Sequence, residues 1–252
     1  MNHRIAALRT DPARLAWAVL NALQLVFTLL WTAGWIALAL AVWALGLGQR
    51  RLPLRMASSC WAPGLLWGAG ARLEIEPNPG IDWSRPYVLV ANHQSAIDIC
   101  ALFRAVPVPL RFLLKQEMQR VPFVNGYARA TGMVFIPRDG RRAAAASLQR
   151  SADLVRAGAV LCIFPEGTRG DGATVAEFKP GAFQTALAAG ADVLPVALEG
   201  TGAVLPADGL FGVRPGRIRV RFGTPIAVAG RDRQSLAREA REQVLALLRE
   251  RS

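Results

Sequence analysis

From Leu15 to Gln49 the chain carries no charged residue. If helical, that run of 35 residues would be roughly 50 Å long, against a bilayer hydrocarbon core of about 30 Å. It is too long for an upright span and too long for the apolar core of a cleaved signal, so no signal peptide is expected. Soluble cores seldom need such a stretch, so the segment is expected to sit in a membrane. Asn21, Gln24, Thr28 and Thr32 recur at spacings of three, four and four, which draws one polar stripe along a helix. Trp17, Trp31, Trp35 and Trp43 suit a lipid–water interface. Gly34, Gly46 and Gly48 are candidate breaks. Arg4, Arg9 and Arg14 precede the run and Arg50, Arg51 and Arg55 follow it, so charge leaves the orientation open. A second uncharged stretch, Met56 to Ala71, contains Pro63 and is short for a span. Two arrangements fit: a spanning helix with an interfacial one, or a helical hairpin dipping into one leaflet. Residues 1–75 are expected to form this membrane-associated segment, one long apolar helix plus a shorter one.

Beyond the linker "EPNPGIDWSRP" (76–86) the pattern changes. "YVLVAN" (87–92) is a short continuous apolar run, as in a strand buried on both faces. Further strands are expected at 110–115, 133–138, 160–167, 192–200 and 218–223. Helical patterns fill the gaps, the strongest at 141–158 and 235–251. In the last, Leu236, Ala240, Val244 and Leu247 share a face. Alternation of this kind predicts an α/β domain over 76–252, a largely parallel sheet flanked by helices.

The formal net charge is +12, which favours anionic partners. Nucleic acid is not expected among them, because no recognition motif or basic–aromatic interleaving is present. Cys60, Cys100 and Cys162 lie far apart without a C-x-x-C pair. That gives no disulfide framework and suits a reducing compartment. Cys100 and Cys162 sit in apolar surroundings and read as core thiols. No metal-ligand spacing is present, and there is no G-x-S-x-G or P-loop. "GAGARL" (68–73) lacks the third glycine of a dinucleotide fingerprint.

Ligands of open α/β sheets bind beyond the carboxyl ends of the strands. The expected strand ends gather Asn92-His93, Lys115, Arg138 and Glu166 through Arg169 there. Inside one helix His93 and Asp98 would stand about 140° apart. With His93 just before the helix and Asp98 in its first turn, a hydrogen bond becomes possible. A carboxylate holding one imidazole nitrogen leaves the other free as a base toward a hydroxyl. Ser95 to Asp98 also fits a capping box, with Asp98 reaching back to the Ser95 amide. The spacing leaves both roles open, separately or shared. "FPEGTRGDG" (164–172) makes a loop whose amides can approach a ligand, with Arg169 able to grip a phosphate. An ordinary turn with an internal Glu166–Arg169 pair fits the same residues. Lys115 and Arg138 taken singly also read as solvated charges.

Together, "NHQSAID" (92–98), "VFIPR" (134–138), "FPEGTR" (164–169) and "LPVAL" (194–198) resemble the four ordered blocks of the glycerolipid acyltransferases. The resemblance is nearest to the 1-acyl-sn-glycerol-3-phosphate acyltransferases and covers about residues 85 to 225. It implies that His93 and Asp98 are catalytic. It implies that Arg138, Glu166, Gly167, Thr168 and Arg169 serve the acceptor, as does Lys115 in "KQEM". Two positions depart from the family pattern, Gly170 after E-G-T-R and Pro180 after Phe178-Lys179. The implied reaction moves an acyl group from an acyl-CoA or acyl carrier protein thioester to the sn-2 hydroxyl of 1-acyl-glycerol-3-phosphate, giving phosphatidic acid. It implies no cofactor beyond the thioester co-substrate. The implied setting is the inner membrane, with the α/β domain facing the cytoplasm and membrane lipids as neighbours. Alternatives are another acceptor, such as lyso-ornithine lipid or glycerol 3-phosphate, and a membrane-anchored lipid-binding protein without turnover. Oligomeric state is left open.

Overall fold

The computed structural model describes residues 12–47, 51–76, 78, 80–121, 123–137, 140–170, 174–207 and 211–250. The long apolar run forms one helix, α1 (Pro12–Ala44). It passes through Gly34 without a break and closes at Gly46, whose φ of +68° a side chain would resist. Gly48 lies outside the described residues. The helix is long and apolar enough to cross a membrane. Its outward face bares Leu23, Leu29 and Leu30 at 62%, 60% and 69% exposure, a surface suited to lipid rather than water.

The second uncharged stretch continues as α2 (Arg51–Met56), a π-helical turn (Ala57–Trp61) and α3 (Ala62–Gly68). The widened turn comes just before Pro63, whose missing N–H and ring disturb the regular ladder. The polar stripe of α1 faces this stretch. Asn21 accepts from the Val213 amide at 2.7 Å, and Gln24 Nε2 donates to the Gly68 carbonyl at 3.2 Å. Trp61 Nε1 donates to Thr32 at 3.2 Å, and Trp31 Nε1 to the Trp61 carbonyl at 3.1 Å. Gly64 and Gly68 leave room for the Trp31 and Phe27 rings, which any side chain there would strike. The helix is therefore docked by polar groups on one side and left apolar on the other.

Among the described residues seven strands follow: β1 (Ala71–Glu76), β2 (Val88–Ala91), β3 (Leu110–Lys115), β4 (Val134–Ile136), β5 (Val160–Ile163), β6 (Val193–Glu199) and β7 (Gly216–Phe222). They form one sheet in the order β1-β7-β6-β2-β5-β3-β4. All neighbours are parallel except β6 and β7. The largely parallel α/β sheet expected from the alternation is present. β1 was not anticipated, and the expected division at residue 75 falls inside it. Its charged side chains pair across the sheet: Glu74 with Arg219 at 3.1 Å and Glu76 with Arg221 at 2.9 Å.

Helices cover both faces. α6 (Arg141–Arg156), α7 (Gln184–Ala189) and α9 (Arg233–Arg249) lie on one side, over Val88, Val90, Leu161 and Val193. α9 starts at Asp232, whose carboxylate accepts from the Gln234 and Ser235 amides. α3 and α4 (Asp98–Ala105) lie on the other, over Leu89, Ala91, Phe112 and Leu194. α5 (Val124–Thr131) reaches back to the membrane segment, its Tyr127 hydroxyl donating to the Pro53 carbonyl at 3.1 Å.

Candidate active site

β2 and β5 are neighbours, so their carboxyl ends bring residue 93 beside the 164–169 loop. Asn92 fixes the end of β2. Its amide donates to the Leu198 carbonyl and accepts from the Leu198 amide, both at 2.8 Å. The chain then turns sharply and enters α4 at Asp98. Asp98 is fully buried, and its Oδ2 accepts three hydrogen bonds. They come from His93 Nδ1 at 2.7 Å, the Gln94 amide at 2.7 Å and the Ser95 amide at 2.8 Å. The two readings of Asp98 are thus one geometry: the carboxylate caps the turn and holds the imidazole with the same oxygen. With Nδ1 as the donor, Nε2 carries the lone pair.

The imidazole is clamped from other sides. Its ring stacks on Phe164 at 3.9 Å between centroids, with 16° between planes. The His93 amide donates to Glu166 Oε1 at 2.7 Å, and the His93 carbonyl accepts from the Gly170 amide at 2.8 Å. Ser95 Oγ donates to the Leu205 carbonyl at 2.6 Å, tying the turn to the segment after α8 (Thr201–Val204).

Glu166 is buried, and its other oxygen accepts from the Ala176 amide at 2.9 Å. Both carboxylate oxygens therefore serve backbone amides, one on each side of the loop, instead of pairing with Arg169 as the turn reading required. Burial raises the Glu166 carboxyl above the ordinary carboxylate range, against the lowering pull of the Ala176 and His93 amides. Gly167 adopts φ +73°, and a side chain there would meet the Lys179 ammonium at 2.6 Å. Thr168 and Arg169 are exposed beyond it. Lys115 ends β3, the strand beside β5, also exposed on this edge. Arg138 lies outside the described residues.

Lys179 was not singled out from the sequence as a ligand-facing cation. Its ammonium lies over Gly167, and its amide donates to the Pro165 carbonyl at 3.0 Å. The available signal was its place in "FKP" soon after the loop. Burial pushes the thiols of Cys100 and Cys162 up, so they stay protonated core groups. Among the described residues no group of three or more His, Cys, Asp or Glu is placed to share a metal ion.

Beside the turn lies a cavity of about 320 Å³ between α1 and the sheet. Its walls are almost wholly apolar, from Trp35 and Ile36 of α1, Trp61, Phe103 of α4 and Phe112 of β3. Ala96 and Ile97 of the His93–Asp98 turn, with Leu205, line it as well. A site with one buried carboxylate–imidazole pair, nearby cations and an apolar chamber fits transfer chemistry on an amphiphile.

The chain belongs to the Acyltransferase family. That family's model matches residues 73–199, which include His93, Asp98 and the 164–169 loop. A 1-acyl-sn-glycerol-3-phosphate acyltransferase of Chlamydomonas reinhardtii is 40% identical over 136 residues, 54% of this chain and 41% of that protein. One from Borreliella burgdorferi is 33% identical over 136 residues, 54% of each. The chain spans about half the length of the curated relatives it matches. The crystal structure of the 1-acyl-sn-glycerophosphate acyltransferase PlsC from Thermotoga maritima matches with a TM-score of 0.76. The match covers 95% of this chain and 99% of that one at 22% identity, and so speaks to the fold.

Proposed function

We propose that the chain transfers an acyl group from an acyl thioester, on CoA or acyl carrier protein, to the sn-2 hydroxyl of 1-acyl-glycerol-3-phosphate. The product is phosphatidic acid. The observation that carries this reading is the triple acceptance at Asp98 Oδ2, which fixes His93 with Nε2 as the basic atom. His93 Nε2 takes the proton of the acceptor hydroxyl as its oxygen attacks the thioester carbonyl. The buried Asp98 carboxylate stabilises the imidazolium that forms. A tetrahedral oxyanion results and collapses, expelling the thiolate, which takes the proton back from His93. No enzyme nucleophile is required.

Arg169, Lys179 and Lys115 stand on the strand-end edge as cations for the acceptor phosphate, with Arg138 proposed from the sequence alone. Gly167 and Thr168 present the loop backbone. Glu166 holds the loop against His93 and acts on the acceptor only through that placement. The apolar cavity takes an acyl chain. α1, with its lipid-facing side, lets the lysolipid enter laterally from the leaflet, while the reduced cysteines and a thioester donor suit the cytoplasmic face of the inner membrane. Residues 1–75 act as the membrane unit and 76–252 as the transferase.

The test is acyl transfer from a long-chain acyl-CoA to lysophosphatidate by detergent-purified protein, beside His93→Ala. A loss of at least about a hundredfold in a variant that melts like the wild type is expected. Equal rates in both would remove His93 from the chemistry. A panel with phosphate-free acceptors, lyso-ornithine lipid among them, tests the cations. Equal use of such acceptors would sink the phosphate role of Arg169 and Lys179.

A further inference from the structure

The C-terminal helix reaches the site through one side chain. Arg241 of α9 is half-buried, and its guanidinium donates to two successive carbonyls beyond the 164–169 loop. Nη2 donates to Val175 at 2.7 Å and Nε to Ala176 at 2.9 Å. The Val175 carbonyl and the Ala176 N–H belong to one planar peptide unit. Arg241 holds the oxygen end of that unit, while its N–H end donates to Glu166 Oε2 at 2.9 Å. Glu166 Oε1 in turn accepts from the His93 amide at 2.7 Å. A cation on the carbonyl also polarises the peptide and strengthens its N–H as a donor. A continuous run of hydrogen bonds thus joins α9 to the backbone of His93. Core packing does not depend on the guanidinium, because Val175 and Phe178 are themselves buried in the core that holds Leu236, Ala237 and Ala240. Arg241 also lies outside residues 73–199, the part that the family model matches.

We propose that Arg241 is a positioning residue for the transfer site, acting on His93 through the Val175–Ala176 peptide and Glu166. The inference rests on the acyl-transfer reading, and Arg241 touches no substrate in it. With the peptide held at its oxygen, its N–H stays aimed at Glu166, and the carboxylate keeps both amides. Without the guanidinium the peptide is free to rotate, Glu166 loses one of its two donors, and the backbone of His93 is no longer set against the loop.

The experiment uses the full chain in detergent. It reads transfer from a long-chain acyl-CoA to lysophosphatidate, and amide hydrogen exchange, in Arg241→Met beside the wild type. In the folded variant kcat/KM should fall about tenfold, the low end of what a hydrogen bond to a charged group supplies. Exchange should quicken in the peptides that contain Ala176 and His93. Glu166→Gln leaves one carboxyl oxygen for two amides, so it breaks the run whichever amide keeps it. In that background Arg241→Met should change kcat/KM by less than about twofold, since the two residues act in series. The exchange reading decides where Glu166→Gln is too slow to assay. Arg238→Ala removes an exposed arginine of the same helix and should leave both readings at wild-type values. Equal losses from Arg241→Met with and without Glu166→Gln would make Arg241 a structural tie and overturn the inference, leaving acyl transfer standing. Exchange that quickens only within α9, or wild-type kcat/KM in Arg241→Met, overturns it too. No transfer by the wild type takes down the acyl-transfer reading and the inference together.

Discussion

The two faces of the sheet use similar apolar residues and end in different states. On one, α6, α7 and α9 close over Val88, Val90, Leu161 and Val193, with Leu236, Ala240 and Val244 wholly buried. On the other, α1, α3 and α4 cover Leu89, Phe112 and Leu194 but stand around about 320 Å³ of unfilled space. Protein interiors pack to the density of organic crystals, so a chamber of that size reflects geometry that side chains do not close. Here the aromatic rings of Trp35, Trp61, Phe103 and Phe112 make its walls. The sealed face stabilises the sheet, and the open face leaves a chamber that the proposed reaction assigns to an acyl chain.

The contrast can be broken most severely at its hinge, where β2 enters the His93 turn. Asp98→Asn removes the charge that holds the imidazole, and acyl transfer should drop about a hundredfold or more. Steady-state rates alongside a melting curve check this, and near-wild-type turnover would refute the assigned geometry. On the sealed face, Leu236→Ala should cost about 2–5 kcal/mol in denaturant unfolding. At a temperature where it stays folded, kcat/KM should remain within about twofold. On the open face the expectation inverts. Ala57→Phe fills cavity space, so stability should shift by no more than about 1–3 kcal/mol. Turnover of long acyl chains should fall about tenfold while short ones are spared. A chain-length series read against unfolding separates the two faces, and equal effects on both would erase the distinction.

The smallest effect concerns Glu166. Its raised carboxyl pKa means the folded chain still binds a proton at a pH where the unfolded chain has released it. This group's contribution to stability is thus present at low pH and is lost as pH rises from the unfolded carboxylate value through the raised one. Melting temperature against pH should show that slope in the wild type and lack it in Glu166→Gln. Matching profiles would show that Glu166 titrates normally.

Continuous apolar runs bounded by turn residues made the parallel strands legible, and β3 matches its expected span of 110–115 residue for residue. β1 escaped because it lies at the sheet edge and alternates charge with apolar side chains. Glu74 and Glu76 find their hydrogen-bond partners at Arg219 and Arg221, 145 residues on. The polar stripe of α1 was visible, yet its partners at Gly68, Trp61 and Val213 depend on tertiary placement. The five-residue spacing of His93 and Asp98 allowed two roles, and only a helix beginning at Asp98 itself lets one oxygen fill both. The cavity left no trace in the sequence, since a wall residue and a core residue are spelled alike. Lys179 was hidden because its approach to Gly167 follows from loop geometry.

Glu166 gives the site an interlock. One carboxylate bridges the backbone of His93 and the backbone of Ala176, so the imidazole and the far side of the cationic loop share a single mechanical reference. A loop out of place takes the His93 amide with it. On the proposed chemistry, a base able to activate water would then never stand ready while the acceptor cradle is disassembled. On that reading the thioester would be guarded against idle hydrolysis by a linkage that itself forms no bond to either substrate.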